Sequence, residues 1–244
     1  MKKLLIMFCM CSLSLVTQAD SLTPSQQSEV RSLVRETLIK HPDIIVEAIN
    51  ELQKQKQQEQ QGRVQAVLDA NKATLFYDRQ DPYLGAEKPA LTIAYFFDFN
   101  CTVCKRQEVE IEKTLKAFPQ VRVVYKDLPI LGESSWEASE MALAVHEKDP
   151  KKYALVHKKL TSKPGKHDSQ SISAALKSEG FDVNTLKKGN TNSFDKQLNK
   201  NIQLATLLGI RGTPALVFPD KVVVGYVDEK QLAAMIKEWL KPHS

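Results

Sequence analysis

Leu91-Thr92-Ile93-Ala94-Tyr95-Phe96-Phe97 runs through Asp98-Phe99-Asn100 directly into Cys101-Thr102-Val103-Cys104, and this stretch decides how the chain is read. Its β-branched and aromatic residues predict a buried central strand. Beyond the second cysteine, Val109, Ile111, Leu115 and Phe118 predict a helix that ends near Pro119. The two cysteines therefore stand where a strand gives way to a helix. A cysteine at a helix start faces unpaired backbone N–H groups and the positive end of the helix dipole, which favour thiolate over thiol. Cys101 takes that position and reads as a nucleophile. Cys104, one turn inside, reads as the less exposed partner that attacks a mixed disulfide on Cys101 and releases its substrate.

The chain has 244 residues and four cysteines. Lys2 and Lys3, an apolar run from Leu4 to Val16, and Thr17-Gln18-Ala19 have the form of a signal peptide over residues 1–19. The run is shorter than the about 20 residues of a bilayer span. Cleavage would remove Cys9 and Cys11 and leave Cys101 and Cys104 as the only pair. A short signal with two lysines reads as bacterial, with the periplasm as destination, where disulfides persist. Closing so short a loop removes little unfolded-state entropy, which argues against a structural disulfide. Tetrahedral zinc wants a second ligand pair, and none of His41, His146, His157, His167 and His243 forms one at ligand spacing. No metal is expected, and redox chemistry is the favoured reading. The formal charge of +5 falls by two with the signal's lysines, and no basic stretch is interleaved with stacking aromatics, so nucleic acid is not an expected partner.

Apolar residues are unevenly placed. Thr23-Pro24 reads as a helix start, followed by Val30, Leu33, Val34 and Leu38 at helical spacing. His41-Pro42-Asp43 interrupts, and Ile44, Ile45, Ala48, Ile49 and Leu52 line a second helix. The tract from Gln53 to Gln61 holds no apolar residue and suits a solvated helix or a flexible linker. Residues 20–61 have apolar faces but too little mass for a core. We read them as a helical oligomerisation segment with a polar linker, over the alternative that they pack on their own domain. Residues 62–244 read as an α/β domain. Val121–Tyr125 is a second strand, 134–208 a helical insertion, Ala215–Phe218 and Val222–Tyr226 a hairpin, and 229–240 a closing helix.

Three motifs carry a resemblance. Phe96-Phe97-Asp98-Phe99-Asn100-Cys101-x-x-Cys104-Lys105, Lys126-Asp127-Leu128-Pro129-Ile130-Leu131-Gly132 and Gly209-Ile210-x-Gly212-Thr213-Pro214-Ala215 resemble the DsbA-like branch of the thioredoxin superfamily. The resemblance covers about residues 75 to 244, and with the helical extension it is closest to the suppressor-of-copper-sensitivity C proteins. It implies a thioredoxin fold with a helical insertion, no cofactor, Cys101 as attacking and Cys104 as resolving cysteine, and a cis bond at Pro214. It also places Thr213 beside the dithiol to bind extended substrate, and threonine there is similar to the disulfide isomerase branch. Two departures stand out. Thr102 and Val103 replace the usual residues between the cysteines, and Val103 has no side-chain donor for a thiolate, which argues against extreme oxidising power. Tyr95 stands where an acid is common, six residues before the first cysteine; Asp98 reads instead as a cap or brace of the active loop. Lys105 and Arg106 add positive charge beside the thiolate, unless they are merely solvated.

The resulting expectation is a periplasmic protein disulfide isomerase or oxidoreductase acting on exported cysteine-containing proteins. A membrane redox partner would reset it, and the resemblance favours a trimer. A Cu(I)-binding envelope protein using the same two thiolates is the alternative, and an envelope chaperone with a vestigial dithiol a third reading.

Overall fold

The computed structural model describes residues 22–188 and 191–241, and the chain divides into two compact units at Gln57 and Gln58. The signal-peptide reading falls on residues outside those described.

In the first unit, α1 (Pro24–Lys40) opens with Thr23 as N-cap and Pro24 at the first helical position. Thr23 accepts a hydrogen bond from the Gln26 amide at 3.4 Å, and Gln26 returns the contact through its side chain. His41 ends the helix because Pro42 disfavours helical backbone before it. The second helix, α2 (Asp43–Ala70), takes in the whole polar tract, so the solvated-helix alternative is the one realised. Glu51–Lys54 and Glu59–Arg63 stand at helical spacing along it. No residue of α1 is buried. Val30, Leu33, Ile45, Ile49 and Leu52 are 45–63% exposed among the described residues.

The second unit is built on a five-stranded sheet, in the order β1 (Tyr83–Gly85), β3 (Val121–Asp127), β2 (Leu91–Phe97), β4 (Ala215–Val217), β5 (Val222–Val224). Strands β2 and β3 are parallel, and α4 (Thr102–Ala117) is the crossover between them. The other pairings are antiparallel. Every residue of β2 is buried because both sheet faces are covered. Ile93, Tyr95 and Phe97 face one core, shared with Ile111 of α4 and with the insertion. Ala94 and Phe96 face the other, with Leu68 of α2, Leu75 of α3 (Lys72–Phe76) and Leu204. The insertion comprises α5 (Glu133–Lys148), α6 (Pro150–Ser162), α7 (Ser169–Lys177), α8 (Val183–Lys187) and α9 (Thr191–Leu207), and α10 (Glu229–Leu240) closes the chain. The short elements β1, α3 and α8 carry too few residues to show a period and were not anticipated. Strand β5 stops at Val224, earlier than expected, because Gly225 takes φ +98° and donates its amide to the Pro214 carbonyl at 2.8 Å.

Candidate active site

Strand β2 and helix α4 deliver the two cysteines. The peptide turns on Asp98, whose carbonyl accepts the Cys101 amide at 3.0 Å, and Cys101 becomes the N-cap of α4. Its sulfur occupies the place of a capping oxygen and accepts the Cys104 amide at 3.2 Å. Both cysteines are free thiols, Cys101 7% and Cys104 1% exposed, so only the first has an edge open to a substrate.

The two sulfurs titrate far apart. The Cys104 thiol, donating to Cys101, is the largest influence lowering Cys101 from an ordinary 9.0 to about 6. The Thr213 side chain and the amides of Cys104 and Val103 add to it, against the opposing effect of burial. Cys104 moves strongly upward, because burial disfavours its thiolate and its proton is engaged by Cys101. Val103 thus supports the thiolate through its backbone, and its side chain packs against the core. Thr102 is the first residue of α4 and is exposed.

From 112 residues further along the chain, Thr213 arrives through a cis bond to Pro214. Its carbonyl lies 3.4 Å from the Cys101 sulfur. The pairing of Phe96 with Ala215 brings the loop there, since Pro214 and Phe97 then flank the same end of the sheet.

Asp98 braces the active loop. Its Oδ1 accepts the Asn100 amide at 2.7 Å and the Ser135 hydroxyl at 2.8 Å, and its Oδ2 accepts the Leu131 amide at 3.0 Å. Asn100 extends the brace in a way sequence reasoning missed. It donates to Ser134 and Ser135 at 2.8 and 2.9 Å and accepts the His167 amide at 2.7 Å. The available signal was a buried amide wedged between an apolar strand and a cysteine.

Lys105 and Arg106, read either as charges beside the thiolate or as solvated side chains, both have partners in the structure. Lys105 donates to the carbonyls of Lys163 and Gly165 at 2.6 and 2.7 Å, and Arg106 lies over the Tyr226 ring at 5.2 Å. The Cys101 thiolate attracts the Lys105 ammonium and raises its pKa, although burial outweighs that attraction and lowers it overall. The hydrogen bonds of Lys105 thus go to loop carbonyls, and its effect on the sulfur is one of charge alone.

Tyr95, in the place of an acid, is fully buried and donates to the Cys104 carbonyl at 3.3 Å. Behind it a second unforeseen group gathers, Glu108, Tyr125, Tyr153 and His157, all buried. Glu108 sits four residues after Cys104 on the same helix face, which was its only sequence signal.

Residues 92–237 match the DSBA-like thioredoxin domain, and residues 26–59 match the Copper resistance protein ScsC N-terminal domain. Among solved structures, Proteus mirabilis ScsC in a transitional conformation superposes with a TM-score of 0.67 at 41% identity, over 90% of this chain and 97% of that one. A periplasmic thioredoxin-like protein from Salmonella enterica serovar Typhimurium gives a TM-score of 0.64 at 35% identity, over 69% of this chain and 95% of that one. Disulfide bond formation protein D of Bacillus subtilis is 25% identical over 171 residues, covering 66% of this chain and 77% of that protein.

Proposed function

Because the chain belongs to the DsbA-like thioredoxin family and carries a ScsC-type N-terminal domain, we propose that it is a periplasmic protein disulfide isomerase. In this reading the Cys101 thiolate attacks a disulfide of an exported protein, forming a mixed disulfide and expelling a substrate thiolate. A second substrate thiolate then attacks the substrate sulfur of the mixed disulfide, expels Cys101 and leaves a reshuffled bond, or Cys104 attacks the Cys101 sulfur, expels the substrate thiolate and leaves a Cys101–Cys104 disulfide that a membrane redox partner must reduce. The observation that carries this is the asymmetry of the pair. One sulfur is a thiolate near neutral pH at a helix start, and its buried partner is held protonated three residues on. Thr213 beside Cys101 supports the isomerase assignment and the placing of extended substrate at that loop. The exposed apolar faces of α1 and α2 support self-association, with three chains favoured, and the periplasmic Salmonella relative supports the location.

Two thiolates are also what Cu(I) takes. However, burial holds Cys104 protonated, and among the described residues no group of three or more His, Cys, Asp or Glu is placed to hold a metal. Copper would therefore rest on the two sulfurs alone, and binding would have to displace the Cys104 proton.

The test is refolding of scrambled ribonuclease alongside insulin reduction, with Cu(I) titration of the reduced protein as a control. We expect both catalytic activities, their loss in Cys101→Ser, and trapped mixed disulfides in Cys104→Ser. Insulin reduction without ribonuclease refolding would demote the protein to a plain reductase. Acid-pH alkylation that labels Cys104 first would overturn the order of the two cysteines.

A further inference from the structure

Resting on that reading of the dithiol, a groove beside the nucleophile bears on which proteins it takes. The groove, of about 360 Å³, runs between α4 and the end of α6 with the loop that follows. Exposed Thr102, the neighbour of Cys101 in the chain, lines it together with Lys105, Arg106, Val109 and Lys163. A substrate held through Cys101 has its flanking residues within reach of it. The far wall is fixed in place. The buried Asn100 side-chain oxygen accepts the His167 amide at 2.7 Å, and His167 Nε2 lies 2.9 Å from the Leu160 carbonyl. Lys105 crosses from α4 to donate to the Lys163 and Gly165 carbonyls at 2.6 and 2.7 Å. These contacts hold the loop against α4 in advance, so binding there has little left to order.

Three cations line this groove, and among the described residues none of them is ion-paired. Lys105 spends two of its three N–H donors on the loop and keeps one. Lys163 donates to the Pro164 and Lys166 carbonyls, and Arg106 lies over the Tyr226 ring at 5.2 Å. The charge of Lys163 works against that of Lys105. The carboxylates nearby are held by other groups. Glu112 pairs with Lys158 at 3.0 Å, and buried Glu108 accepts from Tyr125 at 3.2 Å and lies 3.1 Å from His157. Asp98 braces the active loop, and Asp168 caps α7 by accepting the Ser171 amide at 2.8 Å.

We propose that this groove is a carboxylate subsite that selects substrate proteins carrying an acidic side chain within a few residues of the reactive cysteine. Exposed Arg106 and half-buried Lys163 supply charge, and Lys105 supplies a directed N–H from a position that the loop carbonyls already fix. The redox step is unchanged. The Cys101 thiolate attacks the substrate sulfur, the S–S bond there breaks, and its electron pair leaves with the departing thiolate. The groove sets how fast a substrate is brought to that sulfur and which one is preferred.

Matched peptides test this on the reduced mature protein. Each has one cysteine, carried as a disulfide to a chromogenic aryl thiol and flanked by Glu, Gln or Lys. Attack by Cys101 on the peptide sulfur releases the coloured aryl thiolate, so stopped flow reads the rate of capture. At low salt the Glu peptide should react about three- to tenfold faster than the Gln peptide, and the Lys peptide slower. The gap should close as salt rises toward about 0.5 M. In Lys163→Gln, and in Lys105→Gln, whose amide can still donate to the loop carbonyls, the Glu-to-Gln ratio should fall toward one. The Gln peptide in the same variant reports the reactivity of the dithiol itself. Lys72→Gln makes the same charge change on α3, which packs on the opposite sheet face from α4, and should keep the wild-type ratio. Equal Glu and Gln rates in the wild type, a ratio that survives in both groove variants, or its loss in Lys72→Gln would overturn the subsite. Release of no aryl thiolate from any peptide would instead sink the dithiol reading on which it rests.

Discussion

Replacing Cys104 by alanine should raise the pKa of Cys101, the opposite of what removing a spectator would do. Four donors bring Cys101 from 9.0 to about 6 against the resistance of burial, and the Cys104 thiol is the largest of them. The largest of four shares in a net fall of about three units is at least about three-quarters of a unit, and burial makes the gross share greater. We therefore expect Cys101 in Cys104→Ala to titrate about one to two units higher. At pH 6 the thiolate share would drop from about one half to about one tenth or less, slowing iodoacetamide alkylation at least about fivefold. Cys104→Ser retains a donor and should stay within about half a unit of the wild type. The sign extends to stability. The folded pKa is depressed, so the thiolate stabilises the reduced fold above the ordinary 9.0, and that gain is lost as pH falls through about 6. At pH 7 it amounts to about 1.4 kcal/mol before solvent screening, equivalent to about 30 mV in favour of the reduced form. Alkylation rate against pH, read by mass spectrometry at Cys101, is the assay. An alanine variant that titrates with the wild type would refute the reasoning and hand the shift to the amides and Thr213.

Thr213→Val removes a side-chain hydrogen bond that lowers both sulfurs. It should raise Cys101 by less than about one unit and cut ribonuclease refolding more than insulin reduction; no change in either would leave Thr213 a structural loop residue. Deleting residues 21–61 should yield a folded, redox-active monomer with weaker isomerase activity, whereas light scattering that finds the intact mature protein monomeric at micromolar concentration would remove self-association. Asp127→Asn should stabilise the fold at pH 7 by up to about 4 kcal/mol, since burial raises the carboxyl from 3.8 to about 8. That contribution to wild-type stability is complete below about pH 4 and lost as pH rises toward 8, so urea unfolding that finds the same difference at pH 4 and pH 7 would count against it.

What the sequence made legible was what is encoded within a few residues. The run from Leu91 to Cys104 spells strand, turn and helix because burial of β2 on both faces demands seven apolar or β-branched positions in a row. A cysteine before a helical period is an N-cap wherever the helix is stable. The insertion and closing helix were legible for the same reason, their apolar period running over several turns. The meeting of Thr213 with Cys101 belongs to another class. No local preference brings together residues 112 apart; the register of β2 against β4 does so, and only the resemblance of the loop to a known family pointed there in advance. Polar groups were the hardest to read because their partners are set by burial. Lys105 beside a cysteine suggests a charge aimed at sulfur, yet it spans 58 and 60 residues to two carbonyls. Asn100 and Glu108 look like ordinary polar residues until the core closes around them. Once buried, each must find donors and acceptors or carry the cost of lacking them, and that requirement ties the active loop to α5 and to the loop before α7 and sets Glu108 against Tyr125 and His157. The surroundings of the second cysteine are thus built from side chains recruited by packing, which a short motif around the cysteines cannot display.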